Sequence, residues 1–99
     1  MAWIKVAKIT EMRDGEARVV EANGTQVALF KVGGNFYATD NTCIHRGGPL
    51  GQGSLSGEVV TCPWHGWQYN VKTGVNVSGM QGVKAFKVKI EGENVLVEV

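Results

Sequence analysis

The chain has 99 residues, of which 43% are hydrophobic and 19% charged, and its formal net charge is +1. These values are typical of one globular domain, residues 1–99, and they exclude the strongly basic balance of nucleic-acid-binding proteins. No apolar run approaches the length of a membrane span, and lysines interrupt the N-terminal segment where a signal peptide needs its apolar stretch. We therefore expect a soluble cytoplasmic protein without a nucleic-acid or membrane partner.

Before residue 40 the sequence predicts strands and turns rather than helices. Asn23-Gly24 is a strong hairpin signal, because both central residues of a type I′ turn need positive φ. In the strand that follows, Val27 and Leu29 are expected to share one face. The arrangement expected is an antiparallel meander of four strands over residues 3–9, 17–22, 26–32 and 35–39.

The second half begins with a glycine-rich segment. Residues 40–57 contain five glycines and are expected to be nearly all loop. A short strand over residues 58–61 follows. Alternation over residues 86–90, and again over 95–99, predicts one last hairpin. The fold class expected is therefore all-β and antiparallel.

The only two cysteines and the only two histidines of the chain occur as Cys43-Ile44-His45 and Cys62-Pro63-Trp64-His65. Thiolate and imidazole are ligands for borderline and soft metals. A structural zinc site usually takes two cysteines from one motif and two histidines from the other, whereas each motif here offers one of each. That division suits a two-iron centre, with a zinc site or a Cys43–Cys62 disulfide as the alternatives.

At these residues the sequence resembles the Rieske iron–sulfur family. The strings Cys-Ile-His-Arg-Gly-Gly-Pro-Leu (43–50) and Cys-Pro-Trp-His-Gly-Trp-Gln-Tyr (62–69) look like its two cluster-binding loops. The resemblance implies one [2Fe–2S] cluster, with both cysteines on one iron and His45 and His65 on the other. It also implies a Rieske-like antiparallel β-sandwich or barrel base (1–39 and 75–99) with an inserted two-loop cluster-binding subdomain (about 40–74).

The ligand set also bears on the reduction potential. Two neutral imidazoles leave the oxidised cluster formally uncharged, so adding an electron costs less electrostatic work than in an all-cysteine cluster. High-potential members of the family carry a further cysteine in each loop and a serine hydroxyl near a sulfide. In this chain Gly48, Trp64 and Trp67 occupy those places, while Tyr69 matches a tyrosine that can donate to a cysteine sulfur. We therefore expect a potential at the low end of the Rieske range.

Four further residues of the motifs are candidates for supporting or docking roles. Trp64 and Trp67 are expected either to pack against the protein or to form an apolar contact for a redox partner. Arg46 is a solvated loop charge or a docking residue, and Pro49 belongs to the first loop.

The resemblance implies a monomeric one-electron carrier between an NAD(P)H-dependent reductase and a terminal oxygenase or similar enzyme. The small Rieske subunit of an assimilatory nitrite reductase is one alternative, and a zinc-stabilised interaction module is another. Catalysis by this chain alone is not expected, because a mononuclear iron site needs two further histidines and a carboxylate.

Overall fold

The computed structural model describes residues 2–43, 48–64, 66–77 and 82–99. Two short 3₁₀ helices in this part of the chain span Ile9–Glu11 and Leu50–Gln52. No helix among these residues is long and apolar enough to cross a membrane. The strands are β1 (Trp3–Lys8), β2 (Ala17–Ala22), β3 (Thr25–Val32), β4 (Asn35–Asp40), β5 (Ser54–Ser56), β6 (Val59–Thr61), β7 (Gln68–Asn70), β8 (Ala85–Phe86), β9 (Val88–Glu91) and β10 (Asn94–Glu98).

The strands form three antiparallel sheets. We name them the terminal sheet (β1-β10-β9), the meander sheet (β2-β3-β4-β8) and the loop sheet (β5-β6-β7). The all-β antiparallel class is thus confirmed. The predicted four-stranded opening meander is wrong in one respect, because β1 pairs with β10 and not with β2. Strand patterns identify strands, but long-range pairing depends on which apolar faces meet in the core.

β3 is the central strand of the molecule and is buried on both faces. Val27 and Leu29 do share one face, which packs in a first core with Val95 and Val97 of the terminal sheet. The opposite face, including Phe30, packs in a second core under the loop sheet. An uninterrupted apolar run is typical of a strand covered on both sides, so the meander sheet separates two cores.

The segment predicted to be nearly all loop contains the 3₁₀ helix Leu50–Gln52 and strand β5. Leu50 is fully buried, and Gly51 lies so close to β2 that an added Cβ would meet Val19 at 2.6 Å. Neither Gly51 nor Gly53 has a positive φ. These glycines therefore permit close packing rather than sharp turning, which glycine density alone cannot reveal.

The predicted strand over residues 86–90 is divided between two sheets. β8 pairs with β4 through Ala38 and Phe86, whereas β9 pairs with β10 to form the predicted last hairpin. Lys87 lies between β8 and β9, where the chain passes from the meander sheet to the terminal sheet, and its carbonyl accepts the Glu98 N–H. Because the alternation continues through Lys87, the sequence pattern does not show the switch.

Candidate metal centre

The first cysteine lies where a short hairpin closes. The Cys43 N–H donates to the Gly48 carbonyl over 2.9 Å, and the adjacent residues Thr42 and Pro49 form an antiparallel β-bridge. The Cys43 side chain is buried. The backbone of this predicted ligand is therefore fixed by the hydrogen bond that closes the hairpin.

Asn41 joins the two strands of this hairpin next to Cys43. Its main-chain carbonyl accepts the Leu50 N–H, and its side-chain Oδ1 accepts the Gly51 N–H, each over 2.8 Å. The residue is buried, so both contacts satisfy polar groups that water cannot reach. Asn41 was not among the site residues predicted from the sequence. The available signal was an asparagine between a strand and a loop, a residue type that often bonds to nearby main chain.

The second cysteine makes the equivalent main-chain hydrogen bond. The Cys62 N–H donates to the Trp67 carbonyl over 2.7 Å, and the Cys62 carbonyl accepts the Gly66 N–H over 3.1 Å. Gly66 has a φ of 75°, a conformation that side-chain-bearing residues rarely adopt. In both hairpins the cysteine N–H thus bonds the carbonyl five residues further on.

The two hairpins touch each other at Gly48. A Cβ placed on Gly48 would lie 2.6 Å from Cys62 Sγ and 3.1 Å from Trp64 Cγ. Both cysteines are free thiols, so the alternative of a Cys43–Cys62 disulfide is wrong. The fold therefore brings two buried cysteines that no disulfide joins from separate loops to one region.

Tyr69 supports the first thiol from β7. Its ring is fully buried in the second core, and its Oη lies 3.1 Å from Cys43 Sγ. Once Cys43 is a metal-bound thiolate, only the tyrosine has a proton to donate. Such a hydrogen bond stabilises negative charge on sulfur and favours the reduced state of the metal.

The other predicted site residues differ in position. Trp64 is exposed, with 57% of its surface accessible. Trp67 is half-buried and packs against the second core. Pro49 is half-buried beside Thr42. The remaining predicted residues, His45, His65 and Arg46, lie outside the described residues.

Similar proteins of known role include two ferredoxins. The ferredoxin component of a naphthalene 1,2-dioxygenase system from Pseudomonas aeruginosa is 34% identical over 99 residues, which cover 98% of this chain and 95% of that protein. Ferredoxin CarAc from Metapseudomonas resinovorans is 40% identical over 95 residues, covering 92% of this chain and 89% of that protein.

Solved structures of ferredoxins share the fold. One chain from a complex of reduced oxygenase and oxidised ferredoxin in carbazole 1,9a-dioxygenase matches with a TM-score of 0.88 and 36% identity, over 96% of this chain and 91% of that one. The ferredoxin of carbazole 1,9a-dioxygenase from Nocardioides aromaticivorans IC177 matches with a TM-score of 0.90 and 26% identity, over 98% and 97% of the two chains.

The described residues fit the thiolate half of a two-iron cluster. Cys43 and Cys62 are buried and unbridged, and a tyrosine hydroxyl is placed to hydrogen-bond one sulfur. Iron–sulfur clusters require such thiolates, and hydrogen bonds to sulfur tune their potential. The family model for the Rieske [2Fe-2S] domain matches residues 2–97, nearly the whole chain. The chain belongs to the Rieske [2Fe-2S] domain family.

Proposed function

We propose that this protein is a ferredoxin that carries one electron at a time from a reductase to a terminal oxygenase. The observation that carries this proposal is the pair of hairpins, which close on Cys43 and Cys62 by equivalent main-chain hydrogen bonds and bury both cysteines in one core. Similar proteins include the ferredoxin component of a naphthalene 1,2-dioxygenase system and ferredoxin CarAc, both matched over most of their own length. No feature of the described residues favours the nitrite reductase subunit over this role.

The proposed ligands are Cys43 and Cys62 on one iron and His45 and His65 on the other. When bound, the cluster supplies reversible one-electron transfer at a histidine-ligated iron. The chain's own contribution is to bury the thiolates, bond their backbone N–H groups within each hairpin, and direct the Tyr69 hydroxyl at Cys43 Sγ.

We further propose the domain division predicted from the sequence. The base consists of residues 1–39 and 75–99, and the cluster-binding insert is about 40–74. In support, all three strands of the loop sheet and both cysteine hairpins fall within the proposed insert.

The partners proposed are an NAD(P)H-dependent reductase as donor and a terminal oxygenase as acceptor. A ferredoxin of similar structure occurs in a complex with its oxygenase. A carrier must leave one partner to reach the other, which favours a small monomer. Free thiols that must remain reduced for metal binding favour the cytoplasm.

The direct test is to purify the protein and measure iron, acid-labile sulfide and the EPR spectrum after reduction. We expect equal amounts of iron and sulfide and the low average g value of a histidine-ligated cluster. Turnover of a terminal oxygenase, given NADH and a flavin reductase, should then require this protein. A colourless protein containing zinc would contradict the proposal and support an interaction module.

A further inference from the structure

One face of the loop sheet is exposed and carries no charged side chain. β6 and β7 are extended by the segment 75–77, because Asn76 bridges to Tyr69. Along these three segments, the inward residues Val60, Tyr69 and Asn76 are buried. Strand alternation places their neighbours on the opposite side. The uncharged face is the set of these neighbours, namely Val59, Thr61, Gln68, Asn70, Val75 and Val77.

This face is unusually apolar at one edge. Val75 and Val77 are each 52% exposed, and with Trp64 they are three of the four large hydrophobic residues that are exposed within the described ranges. Scattered exposed apolar residues are normal, but exposed apolar residues grouped together mark an interaction surface. On β5, Ser54 and Ser56 continue the same face without adding charge.

Three polar side chains of the uncharged face take part in hydrogen bonds within the chain. Gln68 Nε2 donates to Thr61 Oγ1 over 3.2 Å, and Asn70 Oδ1 accepts the Lys72 N–H over 2.9 Å. Covering a polar group costs free energy mainly when it loses its hydrogen-bond partner. Covering these bonded groups with a partner surface therefore costs less free energy than covering groups that bond only to water.

The face is bounded by the second cluster hairpin at one end and by charges at the other. Thr61 and Gln68 directly flank the Cys62–Trp67 closure, so the face continues into exposed Trp64. At the far end Lys72 forms an ion pair with Glu58 over 3.3 Å. An electron acceptor must approach the hairpin that would hold the cluster, and on this side it meets the uncharged face before it reaches Lys72 and Glu58.

We propose that the uncharged face, together with Trp64, is the docking surface for the terminal oxygenase, and that the oxygenase meets it with an uncharged, largely apolar patch. This inference rests on the proposed ferredoxin function. Because neither surface contributes ion pairs, association depends weakly on salt.

The test compares Val77→Lys with Ile90→Lys. Ile90 is 47% exposed on β9 of the terminal sheet, so the control adds the same charge to a similarly exposed apolar residue of another sheet. Each holoprotein is assayed with the terminal oxygenase and the reductase of the carbazole 1,9a-dioxygenase system. The readouts are kcat and KM for the ferredoxin at two salt concentrations, together with the reduction potential and EPR spectrum.

We expect Val77→Lys to raise KM by about tenfold, the effect of roughly 1.4 kcal/mol of lost binding, with kcat, potential and EPR unchanged. Ile90→Lys should match the wild type, and the wild-type KM should change little with salt. Equal KM values for all three proteins would overturn the proposal, as would equal losses in both variants. The proposal would also be overturned if Val77→Lys slowed only the reduction of this protein by the reductase. It would be overturned as well if the wild type were a dimer by sedimentation and Val77→Lys made it a monomer, because the face would then be a dimer interface. A wild type that carries no cluster would instead refute the proposed function.

Discussion

The hydroxyl of Tyr69 lies 3.1 Å from the sulfur of Cys43, one of the proposed cluster ligands. Its role follows from charge, because a donor near a thiolate stabilises the extra negative charge that arrives with the electron. Tyr69→Phe keeps the buried ring and removes this donor.

We expect Tyr69→Phe to lower the reduction potential by tens of millivolts, since about 1 kcal/mol of differential hydrogen bonding corresponds to roughly 40 mV for one electron. Voltammetry of the purified holoprotein measures the shift. The chain offers a matched control in Tyr37→Phe, which removes the only other tyrosine hydroxyl. A Tyr69→Phe potential equal to that of the wild type would show that the hydroxyl does not act on the cluster.

His65→Cys tests the proposed ligand set. A third thiolate adds negative charge to the cluster and changes the field at the second iron, so we expect iron to be retained, the EPR spectrum to change and the potential to fall. EPR together with iron analysis checks this outcome. An EPR spectrum identical to that of the wild type would refute His65 as a ligand.

At the scale of elements, the two cysteine hairpins are held by main-chain hydrogen bonds, and the first depends on Asn41. Asn41→Ala leaves the buried Gly51 N–H without its acceptor. We expect a loss of about 1–3 kcal/mol in the free energy of unfolding, measured by urea denaturation of the holoprotein. Asn35→Ala, at an exposed position, serves as the control and should change stability by less than about 0.5 kcal/mol. Similar losses in both variants would contradict the role assigned to Asn41.

Individual strands could be predicted from alternation and turn signals, but their partners could not. The Asn23-Gly24 hairpin was predictable because its turn chemistry is local, and Asn23 has the positive φ that the turn requires. The pairing of β1 with β10 joins the two ends of the chain, and no local signal encodes it. The division of residues 85–91 between two sheets was hidden for a similar reason, since side-chain alternation continues through Lys87.

The candidate site was more accessible to sequence reasoning than the fold around it. Metal ligands require particular residue types at short spacings, so Cys43 and Cys62 stand out without any structure. Asn41 and the Gln68–Thr61 hydrogen bond were not predictable, because their roles depend on strand register and burial. The lack of charge on one face likewise appears only after register decides which residues point outward.

At the scale of the whole molecule, the meander sheet lies between two cores, and the two cysteines proposed as cluster ligands lie on one side of it. The meander sheet packs one core against the terminal sheet and another against the loop sheet, and both cysteines belong to the second core. A formal net charge of +1 gives weak long-range steering towards any charged partner. This agrees with a carrier that recognises its acceptor by an uncharged surface.

The reduction potential, followed by voltammetry from neutral to strongly alkaline pH, tests the central claim most directly. A low-potential Rieske carrier predicts a reversible one-electron wave near the low end of the family range, roughly −150 mV. The potential should be flat near neutrality and fall at high pH as the ligand imidazoles lose protons. A potential several hundred millivolts higher would contradict the argument from Gly48, Trp64 and Trp67. The absence of any wave would contradict electron transfer itself.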